Sequence, residues 1–560
     1  MQRADFAPAA TRRLPNLFDL AAILFMMAVV VAVAGGARGA LAPLAAPEAG
    51  SIHLDPAWLP FYALRTTLRM FAGLAASLVF TFLFATLAAK SRRAGMVMIP
   101  LLDILQSVPI LGFLSFTVVF FMSLFPGRVL GAELAAIFAI FTSQAWNMTF
   151  SMYQSLTTVP ADLAEAAESL RLSPWQRFWR LDVPFAMPGL VWNTMMSMSG
   201  GWFFVVASES ISVGDTTWQL PGIGSYVAAA LAARDLAAIG WAILAMLAVI
   251  LLYDQLLFRP LVAWSGRFRV ELTAAAEAED PWVLALLRRT RWLRRGMETI
   301  GGGLGWLTGL RLSPAGSPAR AGQAPSRAVD ALCLGLLAVV MGGAIWKLWG
   351  FVAAELRWAD LLEVFVLGLL TGLRVLILIA LASVVWVPIG VWLGLRPRWA
   401  RRAQPVAQFL AAFPANLFFP PVVLAIVTWH LSPNVWLTPL MILGTQWYIL
   451  FNVVAGAAAF PGDLREAARN FRIGGFLWWR RVILPGVFPY FVTGAITASG
   501  GAWNAAIVAE VASWGDTTLH AQGLGAYIAE ATTGGDTPRI VLGVVMMSLF
   551  SSESPCRNAC

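Results

Sequence analysis

The sequence predicts an all-α polytopic membrane protein made of two tandem six-helix repeats, about twelve transmembrane helices in all. Three observations carry this. Of 560 residues, 59% are hydrophobic and only 12% charged, with a mean hydropathy of +0.73, which is outside the range of soluble domains. Apolar runs of bilayer length recur along the chain. A polar motif set between such runs is written twice, as DLAEAAESLR at Asp162–Arg171 and DLREAARNFR at Asp463–Arg472.

A lipid core takes about 20 apolar residues per helix. Runs near that length lie at 17–36, 60–89, 96–125, 130–153, 185–208 and 236–258. A second set lies at 329–353, 361–394, 404–428, 434–457, 485–509 and from 537 onward. The first run follows Arg12 and Arg13, has Asp19 in its flank and lacks a small-residue cleavage site, so it is expected to be a retained helix and not a signal peptide. The last apolar run ends at Phe550 after about eleven residues, too few to cross. Two alternatives stay open there: a truncated last helix, or a terminus altered from Ser551, as by a shifted reading frame. The expected organisation is a first repeat over 1–258 (core 60–258), a linker over 259–328 rich in Arg, Ala, Gly and Pro, and a second repeat over 329–560 (core 361–550).

The net charge of +9 does not point to nucleic acid, because the basic residues cluster in alternate short loops. These are Lys90, Arg92 and Arg93; Arg171, Arg177 and Arg180; Arg259, Arg267 and Arg269; Arg396, Arg398, Arg401 and Arg402; and Arg465, Arg469, Arg472, Arg480 and Arg481. Such loops face the cytoplasm. The N-terminus, the linker and both copies of the motif are therefore expected on the cytoplasmic side, with His53–Pro60, Ser210–Asp235 and Val511–Asp536 outside. The three cysteines, Cys333, Cys556 and Cys560, have neither metal-ligand nor disulfide spacing, and no metal or cofactor is expected in this chain.

A fixed offset over long distances signals duplication. At an offset of 305, Thr66, Leu68, Arg69 and Pro109 match Thr371, Leu373, Arg374 and Pro414. At 301, Trp146, Pro160, Glu165, Pro184, Pro188, Trp202 and Glu209 match Trp447, Pro461, Glu466, Pro485, Pro489, Trp503 and Glu510. Gly214-Asp215-Thr216-Thr217 matches Gly515-Asp516-Thr517-Thr518, and Gly222, Gly224 and Tyr226 match Gly523, Gly525 and Tyr527. An even number of helices per copy inserts both copies in the same direction, around an axis along the membrane normal.

Each polar motif follows a proline (Pro160, Pro461), opens on an aspartate and continues in Ala and Glu. That predicts a helix of about three turns ending at Ser173-Pro174 or Gly474-Gly475. Its alanines, Ala166, Ala167, Ala467 and Ala468, offer a thin face to another protein's groove, with Glu165 and Glu466 beside it. Surface tidying alone does not call for the same residues twice.

Glu-Ala-Ala in a loop between the fourth and fifth helices of a six-helix unit, with a proline some eighteen residues on, resembles the EAA loop of permease subunits of binding-protein-dependent ABC importers. The resemblance covers 60–258 and 361–550, and is nearest to the nitrate, sulfonate and taurine class in duplicated, fused form. It implies that Glu165, Ala166, Ala167 and Arg171, and Glu466, Ala467, Ala468 and Arg472, form two coupling sites for cytoplasmic ATPase subunits. The family's loop carries a glycine where this chain has Arg171 and Arg472. The implied setting is a multi-pass protein of the bacterial inner membrane. Its partners would be two ABC ATPases that bind ATP and Mg, and a periplasmic or lipid-anchored solute-binding protein, with no nucleic acid.

The chain is not expected to be an enzyme. Its two lysines, Lys90 and Lys347, have no phosphate-loop context. Intramembrane polar groups mark candidate path residues: Gln144, Trp202, Glu209, Gln446, Trp503, Asn504 and Glu510, with Asp103, Gln106, Asn147 and Gln408 also in apolar runs. The alternative to a path is that these groups bond neighbouring helices or, for Glu209 and Glu510, sit at the outer interface. The solute implied by the resemblance is a small anion such as nitrate, sulfonate, taurine or bicarbonate. A second function class, an ion-gradient-driven secondary transporter with parallel six-helix repeats, shares the topology but gives no reason for a duplicated cytosolic helix.

Overall fold

The computed structural model describes residues 27, 35, 52–213, 216–268, 290, 299, 301–303, 305–310, 327–413, 415–458, 460, 462–514 and 517–552. Most of the first apolar run, most of the linker, both Gly-Asp pairs of the repeated Gly-Asp-Thr-Thr segments and the tail with Cys556 and Cys560 lie outside the described residues. Two units divide the chain: one takes Val159–Pro188 with the described part of Gln255–Arg320, the other the rest of both repeats.

In the first repeat, α1 (Leu59–Lys90) leads to α2 (Arg92–Ser107), α3 (Ile110–Leu124) and α4 (Val129–Thr157). Then follow the polar-motif helix α5 (Ala161–Ser169), α6 (Val183–Glu209), a hairpin of β1 (Ser210–Val213) and β2 (Thr216–Gln219), α7 (Ile223–Ala232) and α8 (Leu236–Tyr253). The second repeat runs α9 (Arg327–Glu355), α10 (Trp358–Gly394), α11 (Pro397–Ala412), α12 (Phe419–Thr428), α13 (Gln446–Ala458), α14 (Gly462–Asn470) and α15 (Leu484–Ala509). It ends in β3 (Val511–Trp514), β4 (Thr517–His520), α16 (Leu524–Thr533) and α17 (Thr537–Ser552).

The expected single helices over 96–125 and 404–428 are each broken in two. The residues ahead of Pro109 and Pro414, Val108 and Phe413, have ψ of 123° and 120°, because a following proline disfavours the helical well. The expected helix over 434–457 is bent by 40° ahead of Gln446, after two short turns that each begin with a proline in their first turn. Among the described residues six helices are long and apolar enough to cross a membrane, seven if the bent pair is one span. The shortfall from twelve comes from the broken helices, the more polar α6, the 16-residue α17 and the run outside the described residues. The two hairpins are a small exception to an all-α class. They pair Ser210 with Gln219 and Val511 with His520, strands too short to show as alternation in sequence.

The repeats share one core. Ile110, Leu114 and Val118 of α3 are buried in the same cluster as Ile507 of α15 and Leu542 and Met547 of α17. The exchange is reciprocal: α17 packs on α2 and α3 of the first repeat, and α8 packs on α11 of the second. Matched helices thus cover the broken helix of the opposite copy, as parallel duplication requires. Broken backbone is tolerable at membrane depth only when protein covers it.

Candidate functional site

The helices α5 and α14 are each nine residues long, shorter than the expected three turns, and end at Ser169 and Asn470. The exit is the same in both. Arg171 and Arg472 sit in the left-handed region, with φ of 49° and 53°. Arg171 N–H donates to Glu168 C=O at 2.8 Å and Leu172 N–H to Ala167 C=O at 3.1 Å; Arg472 and Ile473 repeat this on Arg469 and Ala468 at 3.0 and 2.8 Å. This double closure satisfies the last carbonyls of the helix, and it is built on arginine where glycine is favoured. The departure noted in sequence therefore leaves the turn intact.

Glu165 and Glu466 are exposed, as are Ala166, Arg171 and Arg472, and Ala467 is half-buried. Ala167 and Ala468 are buried. The expectation of two free alanines per copy is corrected to one: the second alanine turns inward, about 100° around the helix from the first. Beyond each exit comes a one-turn helix and then a π-helical stretch, Phe178–Asp182 and Trp479–Ile483, at the same offset in both copies. Pro184 and Pro485 follow within two residues, and a proline that lacks its N–H loosens the preceding turn.

The second duplicated arrangement joins α1 to the hairpin. The Glu209 carboxylate, 0% exposed, accepts from Thr66 Oγ1 at 2.7 Å, Arg69 Nη1 at 2.6 Å and Gly224 N–H at 2.6 Å. Glu510 accepts from Thr371 Oγ1 at 2.8 Å, Arg374 Nη1 at 3.0 Å and Ala526 N–H at 3.1 Å. Thr66 and Thr371 also accept from the first N–H of α7 and α16, Ile223 and Leu524, both at 2.9 Å. A Cβ added at Gly222 or Gly523 would fall on the Glu209 or Glu510 carboxylate, so glycine there admits the close approach. Buried charge is tolerated because each carboxylate is paired and fully bonded. In the first copy a second ion pair joins in: Arg65 and Arg69 bond Glu133 at 2.6 and 2.5 Å. The matched positions in the second copy are Leu370 and Asn434, and Asn434 Oδ1 takes Gln522 N–H at 2.7 Å. Arg65 and Glu133 were missed from sequence, although two arginines inside an apolar run were a signal.

Other candidate path residues are placed as follows. Trp202 is buried and its indole N–H donates to Tyr253 at 3.0 Å; Trp503 stacks on Phe550 at 6.0 Å. Each therefore meets the sixth helix of its own copy. Asn504 Oδ1 accepts from Ile110 N–H at 2.6 Å, across the repeats. Gln446 accepts from Trp386 at 2.9 Å, and Asn147 bonds Ser197 at 3.4 Å. Two methionines of α6 form a seam between the copies: Met195 Sδ takes Gln404 at 3.4 Å, and Met196 packs with Ala407, Ala411 and Trp447; within the first copy, Met198 Sδ takes Gln144 at 3.7 Å. The Gln144 Oε1 and both amide atoms of buried Gln408, one turn on from Gln404, have no hydrogen-bond partner among the described residues.

A family model, the binding-protein-dependent transport system inner membrane component, matches residues 78–259 and again 386–552. The chain is 27% identical over 166 residues to the bicarbonate transport system permease protein CmpB of Synechococcus elongatus, covering 30% of this chain and 56% of that protein. It is 23% identical over 176 residues to the nitrate import permease protein NrtB of Leptolyngbya laminosa, covering 31% and 60%. To the glycine betaine/proline betaine transport system permease protein ProW of Escherichia coli it is 31% identical over 165 residues, covering 29% and 42%. The chain thus spans about half the length of the curated relatives it matches. Two family matches, each spanning one copy of the loop, the turn and the buried carboxylate, leave a single assignment: the chain is a duplicated member of the binding-protein-dependent transport system inner membrane component family.

Proposed function

We propose that this chain is the transmembrane permease of an ATP-driven ABC importer, with α5 and α14 as coupling helices that each seat one cytoplasmic ATPase subunit. The observation that carries the reading is the twice-built exposed helix with its Glu165 or Glu466 and its left-handed arginine exit, a surface repeated in backbone and in the place of one glutamate. ATP and Mg then belong to the partner subunits. The basic loops orient both helices, the linker and the N-terminus toward the cytoplasm, and the latched hairpins face a solute-binding protein outside.

The path follows the α6 seam. Glu209, Glu510, Trp202 and Asn504 already spend their polar atoms on neighbouring chain and Trp503 is stacked on Phe550, so they hold walls in place. Gln144 and Gln408 keep unspent amide capacity and are the groups offered to a passing solute. Neutral amides suit transit, since a buried fixed charge would hold an ion too tightly to release. Similarity to the bicarbonate and nitrate permeases favours a small anion. In the test, Glu165→Arg and Glu466→Arg are combined, and the tagged chain is purified with its ATPase. Loss of the ATPase is expected; undiminished co-purification would overturn the assignment.

A further inference from the structure

The surroundings of the two coupling helices differ at two matched positions. At the offset of 301, Trp175 and Gln176 correspond to Phe476 and Leu477. Phe476 is 79% and Leu477 48% exposed, an apolar pair left on the surface just after α14. In the first copy these positions hold a piece of the linker instead. Trp175 Nε1 donates to Leu307 C=O at 2.9 Å, and Gln176 Nε2 donates to Gly309 C=O at 2.8 Å. Gln176 also accepts from Ser173 N–H at 3.1 Å and closes the capping box of its own turn. The captured stretch, 305–309, is helical, and it displays Trp306, 68% exposed, and Leu307, 46% exposed.

An aromatic and aliphatic pair therefore stands beside both coupling helices. The loop supplies it in the second copy. In the first copy the loop keeps an aromatic, Trp175, but has Gln176 in place of the leucine, and both side chains donate to a linker segment that displays a further aromatic and aliphatic pair. A singly exposed apolar residue needs no explanation, but an exposed aromatic and aliphatic pair carried after each coupling helix, by the loop itself in one copy and by a segment bonded to the loop in the other, marks a surface that a partner covers. Charge does not provide this common feature: Asp162–Arg171 carries three acidic residues and one arginine, whereas Asp463–Arg472 carries two acidic residues and three arginines.

We infer that Trp306 and Leu307 complete the first ATPase docking surface, in the role that Phe476 and Leu477 have at the second, and that the ATPase groove has an apolar lip that takes either pair. The linker is then part of a socket as well as a connector. The inference rests on the coupling-helix reading.

In the test, the ATPase that co-purifies with the wild-type chain is identified, purified alone and titrated against the full chain in detergent. The variants are Trp306→Ser with Leu307→Ser, Phe476→Ser with Leu477→Ser, and Glu165→Arg with Glu466→Arg. The first pair of substitutions touches only exposed side chains, since the linker is held through backbone carbonyls. Each serine pair is expected to weaken one socket roughly tenfold or more, so that one subunit binds where the wild type binds two. A conservative variant, Trp306→Phe with Leu307→Met, is expected to keep both. Wild-type binding of two subunits by the Trp306 and Leu307 serine variant would overturn the inference, whether that pair then proves to meet lipid or solvent. Equal loss in the conservative variant would also overturn it. If the arginine variant leaves binding unchanged, the coupling-helix reading fails instead.

Discussion

Arg69 holds Glu209 at 2.6 Å inside the protein, and at the matched place Arg374 holds Glu510 at 3.0 Å. Each pair ties a long helix to the start of a hairpin and of the short helix behind it. The first latch adds one cation and one anion, Arg65 and Glu133, and the second has neither. Both clusters are thus balanced in charge, which low-dielectric surroundings demand.

That balance predicts a non-additive mutant cycle. Glu133→Asn alone removes the carboxylate that Arg65 and Arg69 share in a buried site and is expected to cost about 3 to 5 kcal/mol. The double variant Arg65→Leu, Glu133→Asn rebuilds the Leu370 and Asn434 arrangement and should lie within about 1 kcal/mol of wild type. Thermal unfolding of the purified protein measures both. Additive losses would show that the clusters are not balanced units.

Much of this fold was legible. Glu209 and Glu510 stood out as matched carboxylates, and Pro109 and Pro414 as matched breakers. What was not legible is pairing at a distance: Arg69 and Glu209 are 140 residues apart, and no periodicity links them. The helix breaks were hidden because an apolar window averages across a proline. The strands were hidden by being four residues long. The role of Arg171 was obscured because composition suggests a helix former, while the backbone there is left-handed.

That backbone gives the second prediction. A left-handed residue with a Cβ costs about 1 kcal/mol or somewhat more relative to glycine, and both coupling helices bear the cost at Arg171 and Arg472. Arg171→Gly and Arg472→Gly should each stabilise the exit of their helix by about 1 kcal/mol, seen as slower amide exchange at Leu172 and Ile473. Arg171→Val, branched at Cβ, should speed it. Faster exchange in the glycine variants would mean that the arginine side chains, and not the turn, hold these exits.

The joint between the repeats gives the third. Ile110 is the first residue of α3, so its N–H has no partner within the helix, and at membrane depth water does not replace one. Asn504 fills that place from the other copy, bonding Ile110 N–H at 2.6 Å and its own helix at Gly500 C=O at 3.1 Å. The matched residue in the first copy is Phe203, so the contact is made once. Asn504→Ala strands a buried donor, at a cost of about 1 to 3 kcal/mol. Asn504→Asp keeps an acceptor and should lose less. Thermal unfolding ranks the two variants, and exchange at the start of α3 locates the effect. An alanine variant that unfolds with the wild type would show that Ile110 finds another partner and that this bond does not join the repeats.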